Sequence, residues 1–203
     1  MKPVVFDDLM MIRKGGEGLE MGDCPSTVES IRSKEEWEEK AEALQEIFLD
    51  ILGERPDLSC DPETRVLSEE RREGYLKRTV SYLVAPGERV NSYLLLPDSR
   101  QGTVPGVVAI HQTAASGKRQ PAGEDPESNR PDMEYGLHLV RRGYAVFLWD
   151  IVTAGERISP GLKSFDTAQF YREHPRWSAR GKDLADAKRA VDVFCMMPEV
   201  DSR

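Results

Sequence analysis

Two unbroken apolar runs, VVAI at residues 107–110 and YAVFLW at residues 144–149, constrain the fold of this chain more than any other feature. A strand with one wet face alternates in polarity. Continuous runs of this kind instead describe strands buried on both faces, as in a parallel sheet covered by helices. Between them Met133, Leu137 and Val140 recur at helical spacing, with Asp132 after Pro131 as the N-cap and Gly143 as the stop, which predicts a helix over residues 132–142. The three segments make a β-α-β unit. A second long helix is expected over residues 179–197, with Leu184, Ala187, Val191 and Phe194 on its apolar side. No strand-like run follows it in MPEVDSR, although α/β folds usually reach the next strand within a few residues. Either the last helix ends the domain, or the sequence is the amino-terminal portion of something longer.

Upstream, GYLKRTVSYLVAPGERVNSYLLLP sets Leu76, Val80, Tyr82 and Val84 against Lys77, Thr79 and Ser81, with Pro86 and Gly87 between two runs. That pattern predicts an antiparallel hairpin with one solvated side. Earlier still, Ser33 and Glu36 have capping-box spacing, Trp37, Ala41, Leu44, Ile47, Phe48 and Ile51 share one helical face, and Gly53 sits at a C-cap. Residues 1–32 show no period and are expected to form an irregular arm. The chain is therefore divided into an N-terminal arm and amphipathic helix over residues 1–72 and an α/β domain over residues 73–203.

Composition removes several function classes. With 39% hydrophobic and 32% charged residues the chain resembles a soluble globular protein. No run approaches the roughly 18 apolar residues of a membrane span, and MKPVVFDDLM lacks a secretory layout, so no membrane partner and a cytoplasmic location are expected. Cys24, Cys60 and Cys195 are odd in number and form no CxxC pair, and HExxH is absent, so no disulfide framework, metal or cofactor is expected. The net charge of -8 is uneven: residues 1–72 carry 19 acids against 10 bases, whereas residues 73–203 carry 17 against 18. No basic stripe marks a nucleic-acid partner.

The chemistry centres on GVVAIHQTAASGKRQPAG, residues 106–123. A phosphate loop needs Gly, four residues, Gly, Lys and a hydroxyl residue; Gly117 and Lys118 fit, but Gln112 and Arg119 stand at the other two positions. No GxGxxG follows either buried run, so nucleotide binding is the least favoured reading. The loop of about 20 residues after His111 exceeds the roughly 12–15 beyond which connections are usually functional or mobile. With DIVTAGERISPGLKSF it would lie at the carboxyl ends of parallel strands, where open α/β sheets hold ligands. There Arg119, Arg130 and Arg157 either meet an acidic substrate or pair with Glu124, Asp125 and Glu156. His111 is expected to pin the loop rather than move a proton, and His138 to meet Glu134 one turn back.

GVVAIHQT, VRRGYAVFLWD and KDLADAKRAVDVF, in that order after a hairpin, resemble the first half of an α/β-hydrolase, nearest the dienelactone-hydrolase and acetyl-xylan-esterase-like branch, over residues 74–203. The resemblance implies an incomplete α/β-hydrolase-type sheet, an antiparallel hairpin followed by parallel β-α-β-α, with an N-terminal helical extension. It implies a small-molecule carboxylic ester as substrate and a backbone N–H at the turn after the first buried strand as an oxyanion donor, Thr113 first and Gln112 second. The family nucleophile elbow, G-x-S-x-G, is not in the sequence: Ser116, Ser159 and Ser178 lack its glycines. Family order sets the nucleophile before the acid and histidine, so His138 and His174 come too early and the triad is expected beyond Arg203. The isolated chain is then expected to be inactive, with an open apolar sheet edge that a partner polypeptide would complete. The alternative is a non-catalytic α/β interaction module acting through its acidic leader helix.

Overall fold

The structure, a computed structural model, describes residues 31–54, 56–128 and 130–201. The irregular arm expected over residues 1–32 falls outside them up to residue 30, as does Cys24. The chain divides into two compact units, Met1–Ile47 and Phe48–Arg203. Helix α1 (Lys34–Leu52) begins in the first unit, where the capping spacing predicts. The Ser33 hydroxyl accepts the Glu36 N–H at 3.1 Å, and the Glu36 carboxylate accepts the Arg32 N–H at 2.6 Å, so two of the orphan donors at this helix start are satisfied.

In the second unit, the end of α1 is fixed by backbone. Gly53 adopts φ +79°, and a Cβ there would collide with the Arg176 carbonyl oxygen. The Leu52 carbonyl accepts both the N–H and the hydroxyl of Ser178, and Glu54 N–H donates to the Arg176 carbonyl at 2.8 Å. Only glycine combines this left-handed conformation with so close an approach.

The sheet has six strands: β1 (Arg65–Arg72), β2 (Tyr75–Ala85), β3 (Glu88–Pro97), β4 (Val104–Val108), β5 (Ala145–Trp149) and β6 (Val200–Asp201), in the spatial order β1-β2-β3-β5-β4-β6. The hairpin turns at Pro86 and Gly87 and brings Ala85 opposite Glu88. β3 runs antiparallel to β5, and β4 runs parallel to β5 with Val107 beside Val146. Helices α2 (Tyr135–Val140), α3 (Ala168–Glu173) and α4 (Ala179–Cys195) follow the strands. The α/β arrangement and the parallel β4–α2–β5 unit are as expected from the sequence. Among the described residues no helix is long and apolar enough to cross a membrane.

Two cores sandwich the sheet. On one face Val80, Tyr82, Leu94 and Phe147 pack against Ala190, Val193 and Phe194 of α4, with the Phe147 and Phe194 rings stacked at 5.3 Å. On the other, Tyr93, Leu95, Val146 and Leu148 pack against Leu137 and Val140 of α2. The hairpin therefore lacks the solvated side its polar residues suggest. Lys77 is buried because its ammonium meets the Glu124 carboxylate at 2.6 Å, so an ion pair replaces the water that alternation implied.

Other details differ for similar reasons. The strand β1, within the segment 1–72 of the sequence reading, extends the sheet; RVLSEERR is exposed throughout and carries no buried alternation. Helix α2 starts at Tyr135, after a 3-10 turn over Pro131–Met133, so Asp132 pairs with Arg130 instead of capping. His138 meets the Pro131 carbonyl at 2.9 Å rather than the Glu134 side chain. On α4 the buried face is Ala179, Lys182, Asp186, Ala190 and Val193, whereas Leu184 and Val191 are exposed. A short strand does follow α4: Val200 pairs in parallel with Val104, and Glu199 accepts the Val104 N–H at 2.9 Å. Strand β4, expected to be buried on both faces, is only partly covered, while β5 is wholly buried.

Gly53→Ala is expected to destabilise the folded chain by about 2 kcal/mol through backbone strain and the carbonyl clash, measured as a lowered urea midpoint at unchanged slope.

Candidate active site

The carboxyl ends of β4 and β5 point the same way, and the loops that follow them are bonded together. The ring of His111, 5% exposed, stands at the start of the first loop. Its Nε2 accepts the Ile151 N–H at 3.2 Å, so the proton resides on Nδ1, which donates to the Gln112 carbonyl at 2.6 Å. The same carbonyl accepts the Ala114 N–H at 2.7 Å and closes a tight three-residue turn. A trans peptide directs its C=O and N–H to opposite sides. Holding the Gln112 carbonyl inward therefore aims the Thr113 N–H outward, and among the described residues no protein acceptor meets it. The Gln112 side-chain amide turns instead to the Met133 sulfur at 2.8 Å. His111 thus pins the loop, as its place in the sequence suggests.

The second tie is a buried carboxylate. Asp150, 2% exposed at the end of β5, accepts the Lys118 N–H and Lys118 Nζ, each at 2.7 Å, and the Glu156 N–H at 3.0 Å. Gly117 and Gly155 flank it with φ of +57° and +53°, and a Cβ at either would collide with this carboxylate. Gly155 N–H also donates to the Ala115 carbonyl at 3.1 Å. Lys118 is 1% exposed and bridges Asp150 and Glu156, which removes it as a phosphate ligand and closes the nucleotide reading of Gly117-Lys118. Sequence reasoning noted Asp150 only as a strand end; the signal for its role was a glycine in each loop beside a charged residue.

The charge network continues toward α4. Arg157 reaches Asp186 and Glu88 at 2.7 Å each, and Lys182 reaches Asp186 at 2.7 Å and Glu88 at 2.6 Å. Burial works against the Arg157 charge, but the carboxylates of Asp186 and Glu88 outweigh it and hold its pKa above the ordinary value. Burial likewise acts to raise the Glu88 carboxyl, and the hydrogen bond and charge of Lys182, with the charge of Arg157, outweigh it and leave it below 4.5. Burial, then the charges of Glu124, Glu156 and Asp150, push the Tyr93 phenol up to about 12. Its ring lies 3.9 Å from the Lys77 ammonium and 5.1 Å from that of Lys118. Of the other loop arginines, Arg119 donates to the Glu124 carbonyl and Arg130 pairs with Asp132, so internal partners hold both.

The model of the Abhydrolase family matches residues 28–176. The fold is shared with a Bacteroides fragilis protein assigned as an acetyl xylan esterase, at TM-score 0.68 and 20% identity over 84% of this chain and 46% of that one. Acetyl xylan esterase 1 from Thermoanaerobacterium sp. is similar at TM-score 0.49 and 16% identity, over 70% of this chain and 43% of that one. A dienelactone hydrolase-like promiscuous phosphotriesterase from metagenomic libraries is similar at 0.44 and 22%, over 63% and 46%. The chain therefore spans less than half of these solved structures. No curated protein matches it in sequence.

Lys118→Met is expected to destabilise the fold by about 3 kcal/mol by leaving Asp150 buried without its cation, against little change for the exposed Lys163→Met, measured by denaturant unfolding. The depressed Glu88 pKa makes its contribution present above the ordinary carboxylate range and lost as pH falls through the lower folded value. Glu88→Gln should therefore flatten the loss of stability between about pH 6 and about pH 3, measured by urea unfolding at each pH.

Proposed function

Because the chain belongs to the Abhydrolase family, we propose that it forms the oxyanion side of a serine-type hydrolase acting on carboxylic esters. The observation that carries this reading is the outward Thr113 N–H, free of protein acceptors on a peptide plane that His111 holds. In acyl transfer a fixed N–H stabilises the negative oxygen of the tetrahedral intermediate without having to reorganise, and here Thr113 would be the first donor and Gln112 the second choice. The second donor in such sites is the N–H following the nucleophile. The acetyl ester in the assignment of the Bacteroides fragilis structure agrees with a small-molecule ester as substrate. The proposed setting is the cytoplasm.

The 203 residues contain no G-x-S-x-G, so the nucleophile, acid and histidine of the proposed enzyme stand outside them. Loss of a triad lowers turnover by on the order of 10^6. Among the described residues β6 covers only the Val104–Pro105 end of β4, leaving residues 106–108 without a strand partner on that side. A further polypeptide segment completing that edge is part of the proposal, since an open apolar edge invites association.

The chain alone is expected to give no p-nitrophenyl acetate hydrolysis above buffer and to self-associate on gel filtration; serine-type turnover or a sharp monomeric peak would contradict this. When completed with a strand, elbow and helix bearing G-x-S-x-G, it should hydrolyse the ester. In that protein Thr113→Pro, which deletes the N–H, should lower kcat by about 10^2 to 10^3 while Thr113→Ala retains it. Equal activity of the two variants would exclude Thr113 as the donor.

A further inference from the structure

Beside the loop after β5 lies a cavity of about 400 Å³, within the range of small-molecule sites, lined by none of the residues assigned above to the oxyanion turn. Its charges decide what it accepts. Arg157 and Lys182 each hold both Asp186 and Glu88, a closed set of two cations and two anions, and Arg89 holds Glu63 at 2.8 Å. An anionic ligand would have to displace Glu88. Asp166 and Glu173, by contrast, accept only the Ala168 N–H and the Gln169 amide, and no basic side chain among the described residues pairs with either. The wall thus carries two carboxylates without counter-charge. Beside them stand Phe170 and His174, ring centroids 4.9 Å apart, an aromatic surface of the kind organic cations favour.

A second, independent feature points to a ligand. Thr153 lines the same cavity, is 7% exposed, and its hydroxyl finds no hydrogen-bond partner. Buried hydroxyls are nearly always satisfied. Its backbone is also strained: φ is +67°, which a β-branched residue adopts only under compulsion. The compulsion is visible. Asp183 accepts the Val152 N–H at 2.9 Å, the Thr153 carbonyl accepts the Phe165 N–H at 2.9 Å, and Phe165 itself has φ +64°. Both neighbours of the hydroxyl along the loop are fixed, so the Thr153 oxygen is held where it is without a protein partner of its own.

We propose that this cavity binds an organic cation, a ligand whose ammonium or guanidinium N–H groups are taken by Asp166, Glu173 and the Thr153 hydroxyl. A metal ion is not the occupant: no group of three or more His, Cys, Asp or Glu among the described residues is arranged to hold one. The class is set by the two unmatched carboxylates, and the hydroxyl adds an acceptor at depth.

The test is calorimetric titration of the 203-residue chain with agmatine, with sodium acetate and with xylobiose, alongside Asp166→Asn/Glu173→Gln, Thr153→Val, Thr153→Ser and, as control, Glu127→Gln. Saturable agmatine binding is expected, weakened about fivefold or more in the double variant and in Thr153→Val, and kept in Thr153→Ser and Glu127→Gln. If Thr153→Val fails to fold, the double variant, whose changes are at half-buried and exposed positions, decides alone. Agmatine binding that is absent, or unchanged in the double variant, overturns the proposal, as does preferential binding of acetate or xylobiose.

Discussion

The carboxylate of Asp150 is the point on which the C-terminal side of this sheet depends. It lies at the end of the fully buried strand β5 and accepts an ammonium and two backbone N–H groups from two loops that are far apart in sequence. A bare buried carboxylate would be prohibitively costly, so the loops must deliver their donors to it. They can do so only because Gly117 and Gly155 bring backbone to within contact of the carboxylate in conformations closed to other residues. His111 adds a second bond between the same loops, from Ile151 N–H to its ring. What emerges is a rigid platform, and the turn at Gln112, Thr113 and Ala114 is mounted on it.

Charge placed inside the molecule also explains the packing of α4. A helix read by its apolar residues turns Leu184 and Val191 inward, yet Lys182 and Asp186 occupy the inner face. They are tolerated because Arg157 and Glu88 complete a four-membered set in which every charge has two opposite neighbours. Lys77 and Glu124 play the same part on the other face of the sheet, beneath the ring of Tyr93. These pairs set register and loop position; their net contribution to stability is smaller than their number suggests, since desolvation offsets much of the attraction.

What was legible in the sequence follows from this division. The parallel pair β4 and β5, the turn at Pro86 and Gly87, the Ser33 cap and the Gly53 stop obey local rules of periodicity and backbone freedom, so they could be read residue by residue. The inner face of α4 could not, because ion pairs between residues 29 and 94 positions apart invert the polarity signal there. Strand β1 lacks a buried face and β6 has two residues, so neither leaves a pattern. At the site, the place of His111 and Thr113 after the first buried strand was legible from the order of elements. The clamp on Asp150 was not, since it joins Lys118 to a carboxylate 32 residues later and is marked only by the two glycines.

The direct measurement is amide hydrogen exchange, residue by residue, on the native chain and on Asp150→Asn at neutral pH. If the carboxylate couples the loops, Gly117, Arg119, Gly155 and Arg157 should lose protection together in the variant while the amides paired between β2 and β3 keep theirs. Loss confined to one loop, or protection unchanged in both, would contradict the account.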